Sequence, residues 1–310
     1  MHEEISIPEL TEVVARLSAL FGAREGGVRP LEGGITNRNF LVNFGGSEYV
    51  VRLPGKDTSL LGIDREAEHL ATRQAAELGI GPKVAAMFED PPCLVTCFVE
   101  GRLLTGPELR EPAAVAEVAH GLRAFHESGL TLPTGFHVYD VVREYADVAR
   151  ERGGELPAAF QSSLESAEAI VNAVKDHPEH SEQPGHNDLL AANFLQAADH
   201  VVIVDWEYAG MGDPFFDLGN FAVNNELSDE DEERLLEAYF GEPATQRRKA
   251  ALKLFRFMSD FREAMWGVVQ SSVSELEFDF PGYADKHFER LAETSSNPRF
   301  RTWLAEARGA

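Results

Sequence analysis

One stretch of this 310-residue chain carries residues whose types and spacing can do chemistry: Gly185-His186-Asn187-Asp188-Leu189-Leu190-Ala191-Ala192-Asn193-Phe194-Leu195. It has the form H-x-D-x-x-x-x-N. Twelve residues after Asn193, the apolar run Val201-Val202-Ile203-Val204 ends in Asp205, followed by Trp206 and Glu207. Phosphoryl transfer needs this set of parts. One carboxylate accepts or orients the proton of an attacking hydroxyl, here Asp188. An amide oxygen and a second carboxylate, here Asn193 and Asp205, hold magnesium against nucleotide phosphates. Magnesium takes hard oxygen ligands and keeps several waters, so two protein ligands suffice. His186 or Asp188 alone reads as a turn cap. The full spacing, with a carboxylate at the end of an apolar strand, reads as a kinase site using ATP and magnesium.

The surrounding patterns give the elements that must position these residues. Residues 8–21 place Val13, Val14, Leu17, Leu20 and Phe21 at helical spacing. Leu31 to Val42 passes from a glycine turn into a strand, Gly45-Gly46 signals a hairpin, and Tyr49 to Leu53 returns. A helix is predicted over 64–78 with Ala67, Leu70, Ala71, Ala75 and Leu78 on its apolar face and Gly79 as its stop. Residues 84–88 and 93–98 read as strands. After Gly101 the composition shifts: 112–128, 140–151, 157–176 and most of 229–310 read as helix, with 185–206 short strand and loop. The expected fold is α+β with two lobes. Residues 1–98 form a small β-rich nucleotide-binding lobe and 99–310 a larger helical lobe with the catalytic and substrate residues.

Composition narrows the partners. There are 28 basic and 52 acidic residues, a net charge of -24. Nucleic acid and anionic membranes both call for a basic face, so neither is expected as a partner. A cationic substrate is compatible with this charge. The acidic run Ser228 to Glu233 reads as a solvated helix start. No run approaches the ~18 apolar residues of a spanning helix. The acidic start Met1-His2-Glu3-Glu4 is unlike a secretory leader, which places the protein in the cytoplasm. Cys93 and Cys97 fall on one predicted strand. Four strand residues span roughly 13 Å, beyond the ~7 Å that a disulfide tolerates between Cα atoms. Buried packing is the role expected of both.

The chain resembles the choline/ethanolamine kinases, within the wider aminoglycoside-phosphotransferase group of kinase-like folds. The resemblance runs nearly end to end. It is carried by Gly33-Gly34-Ile35-Thr36-Asn37-Arg38-Asn39, Val51-Arg52-Leu53-Pro54-Gly55, Leu78-Gly79-Ile80-Gly81-Pro82-Lys83, the His186–Asn193 block and Asp205-Trp206-Glu207-Tyr208. It continues through Trp266-Gly267-Val268-Val269-Gln270 and Phe278-Asp279-Phe280-Pro281-Gly282-Tyr283-Ala284.

The resemblance implies roles. Gly33 and Gly34 would let backbone approach the nucleotide phosphates, with polar contacts from Thr36, Asn37 and Asn39. Arg52 would bind phosphate where protein kinases use lysine, paired to Glu68 by alignment, or to Glu66, which also flanks the apolar stripe. Thr96 to Glu100, Phe98 included, would present backbone to the adenine. Asp217, in what reads as a loop over 210–220, would brace the catalytic loop; independently of the resemblance, Asp213 before Pro214 reads as a turn cap. Trp266 and Tyr283 would face the ammonium of choline, with Glu207 and Tyr208 beside them. One departure stands out: choline kinases of higher organisms carry a second tryptophan where this chain has Glu263. Choline is the acceptor expected. Ethanolamine, thiamine or an aminoglycoside is the alternative within the class, and a nucleotide-binding scaffold without activity is the alternative outside it.

Overall fold

The computed structural model describes residues 7–31, 37–55, 58–274 and 276–309. Helix α1 (Pro8–Phe21) turns Leu10, Val13 and Leu17 to one side, as its periodicity demands. These side chains bury against Phe40, Val42, Phe44 and Val51 of a five-stranded sheet. The strands are β1 (Arg24–Leu31), β2 (Asn37–Phe44), β3 (Ser47–Pro54), β4 (Val84–Glu89) and β5 (Pro92–Cys97), in the order β1-β2-β3-β5-β4, every neighbouring pair antiparallel. Gly45 and Gly46, at φ of 58° and 76°, form the two-residue β2–β3 turn. Two successive positive φ values match the strand twist and suit glycine. The register sets Asn39 opposite Arg52, and Arg52 opposite Leu94.

Between β3 and β4, α2 (Arg65–Glu77) starts at Asp64, whose side chain accepts the Ala67 N–H at 2.9 Å. The helix ends at Gly79, φ 76°, as the sequence predicts. Its buried Ala67, Ala71 and Ala75 pack into the larger, helical core. After β5 the Phe98 N–H bonds the Glu48 carbonyl at 2.9 Å, and the chain leaves the sheet.

The second lobe contains β6 (Arg102–Leu103), α3 (Gly106–Leu109), α4 (Pro112–His126), α5 (Val138–Glu151), α6 (Phe160–Val174), β7 (Gln183–Gly185), β8 (Phe194–Gln196), β9 (Val201–Ile203) and β10 (Gly210–Gly212). It closes with α7 (Pro214–Asn224), α8 (Asp229–Phe240), α9 (Gln246–Val273), α10 (Phe280–Ser296) and α11 (Phe300–Ala307). The 28-residue α9 is the spine, with α5, α7, α10 and α11 packed around it. Gly219 lets α7 lie against α9, since a Cβ there would stand 2.5 Å from the Phe255 carbonyl carbon. Two separate apolar cores, one beneath the sheet and one among the helices, make the fold α+β and two-lobed.

Several expectations are corrected. Residues 210–220 are not a loop. They form β10 and most of α7, with Pro214 in its first turn and Asp213 as the capping residue, accepting the Phe215 N–H at 2.9 Å. Strand β1 was invisible to alternation because Gly26, Gly27 and Pro30 interrupt it and a register shift falls between Glu25 and Arg29. Such interruptions suit an edge strand with a bulge. The acidic run does start α8, with Ser228 accepting the Asp231 N–H, but Glu232 is buried against Lys253 and Arg256 rather than solvated. Cys93 and Cys97 are both free; Cys93 is buried, whereas Cys97 is half-buried and lines the cleft between the lobes. No helix among the described residues is long and apolar enough to cross a membrane.

Candidate active site

The loop after β7 is held by side chains of α7. Asp217 accepts the His186 N–H at 2.8 Å and the Asn187 N–H at 2.7 Å, and Asn220 accepts the Leu189 N–H at 2.5 Å. Three buried backbone donors are thereby satisfied by two residues one helical turn apart. Asn187 sits at φ 68° and anchors its own side chain on the Tyr208 carbonyl at 3.0 Å. Behind the loop, His126 Nε2 meets Asp217 at 2.9 Å and its Nδ1 meets the Tyr239 hydroxyl at 2.7 Å. Burial alone would raise the Asp217 pKa; His126, His186 and these N–H groups outweigh it and keep the carboxylate below its usual range. His186 takes the Asp188 N–H on Nδ1 at 3.2 Å and gives Nε2–H to the Val204 carbonyl at 3.0 Å. Burial lowers its pKa, in keeping with that neutral tautomer.

This frame points Asp188 into the site with 8 % exposure. The Asn193 amide nitrogen donates to the Asp188 carbonyl at 2.8 Å and to its carboxylate at 3.3 Å. The Asn193 carbonyl accepts the Val204 N–H at 2.9 Å, which brings Asp205, at φ 68°, alongside. With its nitrogen committed to Asp188, Asn193 has its amide oxygen to offer beside the Asp205 carboxylate. Two hard oxygen donors fit magnesium that also rides on phosphates. Among the described residues no three His, Cys, Asp or Glu side chains form a self-sufficient metal cage.

From the sheet, Arg52 Nη1 reaches Glu68 Oε1 at 3.0 Å and Asp205 Oδ1 at 2.5 Å. The partner is therefore Glu68, 2 % exposed, and not Glu66, which faces outward. Burial pulls the Arg52 pKa down, but Asp205, Glu68 and Glu207 raise it further than burial lowers it. Arg65, which sequence reasoning missed, bonds the other Glu68 oxygen at 2.7 Å and lies 3.7 Å from Glu207. Asn37 donates to Glu207 at 2.7 Å, tying the start of β2 to the segment after Asp205. Asn39, Thr96 and Phe98 line the cleft with Val204 and Asp205. The Phe98 N–H is spent on the Glu48 carbonyl, so that amide is not free to meet a ligand in the cleft. Gly33, Gly34 and Thr36 lie outside the described residues.

On the other side of Asp188, α9 supplies Arg262, Glu263 and Trp266. Arg262 Nη1 stands 3.3 Å from Asp188 Oδ1 and 2.8 Å from Glu263 Oε1, and its guanidinium covers the Tyr208 ring at 4.2 Å. Glu263 also accepts the Tyr283 hydroxyl at 2.7 Å, and the Trp266 indole donates to the Tyr208 hydroxyl at 2.9 Å. Burial pushes Glu263 up, but Arg262, His287 and the Tyr283 bond bring it below its ordinary value. Burial also pushes Asp188 up to about 8, with Glu263, Asp205 and Glu207 adding to the shift and Arg262 opposing it. Sequence reasoning singled out Glu263 but missed Arg262. A signal existed, since an arginine and a glutamate in an otherwise apolar helical stretch ask for buried partners.

The sequence family described as "Phosphotransferase enzyme family" (APH) matches residues 27–252. The chain belongs to this family. Protein LicA of Haemophilus influenzae is 27 % identical over 265 residues, covering 83 % of this chain and 76 % of that protein. Ethanolamine kinase 2 of Rattus norvegicus is 29 % identical over 268 residues, covering 78 % and 68 %. Among solved structures, a choline/ethanolamine kinase family protein from Mesorhizobium loti superposes with a TM-score of 0.82 at 29 % identity, covering 97 % of this chain and all of that one. The protein is thus a phosphotransferase whose acceptor is an alcohol group.

Proposed function

We propose that this phosphotransferase moves the γ-phosphate of ATP to the hydroxyl of a small amino alcohol, with choline as the leading acceptor and phosphocholine as product. The carrying observation is the position of Asp188. It lies beside the Arg262 guanidinium, which itself covers the Tyr208 ring, and beyond that Trp266 and Tyr283 meet edge-on at 5.6 Å as the aromatic pair for the acceptor. A quaternary ammonium has no hydrogen to donate, so ring faces are its natural partners. In this reading Asp188 takes the hydroxyl proton, and its raised pKa matches a base working near neutral pH. Arg52, held by Glu68, contacts the nucleotide phosphates. Asn193 and Asp205 hold magnesium, which would neutralise charge on the phosphate oxygens. Residues 1–98 cover the nucleotide, and residues 99–310 bring the base and the acceptor.

Ethanolamine is the second reading. Glu263 stands where a second ring would widen the aromatic wall, and a primary ammonium prefers carboxylates. Its pairing with Arg262 and Tyr283 weakens that pull, which is why choline leads. The test is ADP release with choline, ethanolamine, thiamine and an aminoglycoside, on wild type and Trp266→Phe. Choline should give the highest kcat/KM, and Trp266→Phe should raise the KM for choline while ATP binding survives. A preference for ethanolamine, or activity on neither amine, would refute the choline assignment.

A further inference from the structure

Arg65 is the first residue of α2, where the positive end of the helix dipole opposes a cation. What it joins explains its place. Nη1 is shared between Glu68 Oε2 at 2.7 Å and Glu207 Oε2 at 3.7 Å, and Nη2 between the Thr58 hydroxyl at 3.0 Å and the Asn37 amide oxygen at 3.4 Å. Asn37 in turn donates to the same Glu207 oxygen at 2.7 Å. The other Glu68 oxygen takes Arg52, and Arg52 takes Asp205. Charges of alternating sign therefore run Asp205, Arg52, Glu68, Arg65, Glu207, leaving the segment after β9 and returning to it two residues later. Trp206, between the two ends, is buried, and its indole donates to the Ile203 carbonyl at 3.0 Å, so a shift of Glu207 carries Asp205 with it. Asp205 holds φ 68°, a left-handed backbone that costs more for aspartate than for glycine and persists where its surroundings fix it. The Val204 N–H on the Asn193 carbonyl fixes one side of it, and the bonds to Glu207 fix the other.

We propose that Arg65 is a positioning residue for the transfer: it clamps α2 to the Asp205–Glu207 segment and so sets Arg52 and Asp205 at the separation that phosphate and metal require. This rests on the roles given to Arg52 and Asp205 above. Those two residues have a second duty, toward phosphate and magnesium, and their contact with each other is the one for which these ligands compete. The limb from Glu68 through Arg65 to Glu207 carries no such duty. It keeps the two lobes in register while the other limb is drawn to the nucleotide. An arginine suits the task, because its planar fork addresses oxygens from four segments at once, which a lysine ammonium on a flexible stem does not. Arg65 touches none of the reacting atoms and acts through Glu68 and Glu207.

Arg65→Met keeps the length of the side chain and removes its charge and fork. Steady-state rates are measured against ATP, magnesium and the acceptor that wild type uses best. The KM for MgATP and the magnesium concentration at half-maximal rate should each rise about tenfold, with the acceptor KM within about twofold of wild type. Arg65→Lys restores a cation without the fork and should recover part of the loss. Unchanged nucleotide and magnesium requirements, whether or not kcat and the thermal midpoint fall, would leave an arginine that only stabilises the fold and would overturn the proposal. Glu207→Gln completes a double-mutant cycle. If Arg65 acts through Glu207, the double variant needs little more magnesium than the worse single variant; effects that multiply overturn the clamp. One readout needs no substrate. Hydrogen exchange at the backbone amides of residues 65–69 and 205–208 should quicken together in Arg65→Met, and a change confined to α2 overturns the clamp. If wild type turns over no acceptor, or ignores ATP and magnesium, the reading above fails and hydrogen exchange alone decides the clamp. If Arg65→Met does not fold, Arg65→Lys carries the same measurements.

Discussion

Replacing Asp217 with asparagine tests how the catalytic loop is held. The carboxylate accepts three bonds: His186 N–H at 2.8 Å, Asn187 N–H at 2.7 Å and His126 Nε2 at 2.9 Å. Asparagine offers one oxygen and one NH2. In its better orientation the oxygen keeps His186 and His126, and the NH2 faces the Asn187 N–H, donor against donor. One charge-assisted bond, ~1.5–3 kcal/mol, is lost outright. The other two become neutral and weaken by roughly half. The sum is about 3–5 kcal/mol, the usual cost of breaking a buried charged network. At ~2–4 °C per kcal/mol this lowers the Tm by roughly 6–20 °C. Turnover should fall as well, because Asn187 at φ 68° immediately precedes Asp188, and a base displaced by about 1 Å loses on the order of 10²-fold in rate. The pH dependence has a definite sign. The folded pKa of Asp217 is depressed, so its stabilisation is full above the unfolded value of ~4 and is lost as pH falls through the folded value. The gap between wild type and Asp217→Asn in urea unfolding should therefore be large at neutral pH and close in acid. A stability loss under about 1 kcal/mol at neutral pH, or a kcat within about twofold of wild type, would show that the loop is held by something else.

Asp188→Asn keeps the size and removes the proton acceptor, so kcat should drop by about 10²-fold or more with ATP binding intact; near-normal turnover would refute the assignment. Asp205→Ala should weaken magnesium-dependent nucleotide binding more than Asn193→Ala, since a carboxylate brings charge to the ion and an amide only a dipole. Calorimetry with and without magnesium checks this, and equal, magnesium-independent effects would count against both ligands. Because burial raises the Asp188 pKa to about 8, a working base exists only as pH climbs through that value. The kcat/KM for the acceptor should rise from mildly acidic to mildly alkaline buffer and then level off; a flat profile would mean that bound nucleotide and metal restore an ordinary carboxylate.

The sequence alone determined what is local. Alanine and leucine at helical spacing located α2, paired glycines located the β2–β3 turn, and Asp188, Asn193 and Asp205 announced their chemistry through separations of a few residues. Only the tertiary structure decided what depends on contacts between distant segments. Glu66 and Glu68 flank the same stripe, and it is the docking of α2 against the sheet at β4 that turns Glu68 inward to Arg52, sixteen residues away in sequence. Helix α7 read as loop because glycine and proline dominate its approach and every residue from Pro214 to Val223 is buried, Asp217 and Asn220 included, so no solvated face marks it as a helix. Arg262 meets Asp188 across 74 residues of chain. Nothing in its neighbours' identities says where that charge ends. Periodicity records which face of an element is buried, while burial against a particular partner is fixed only when the elements pack.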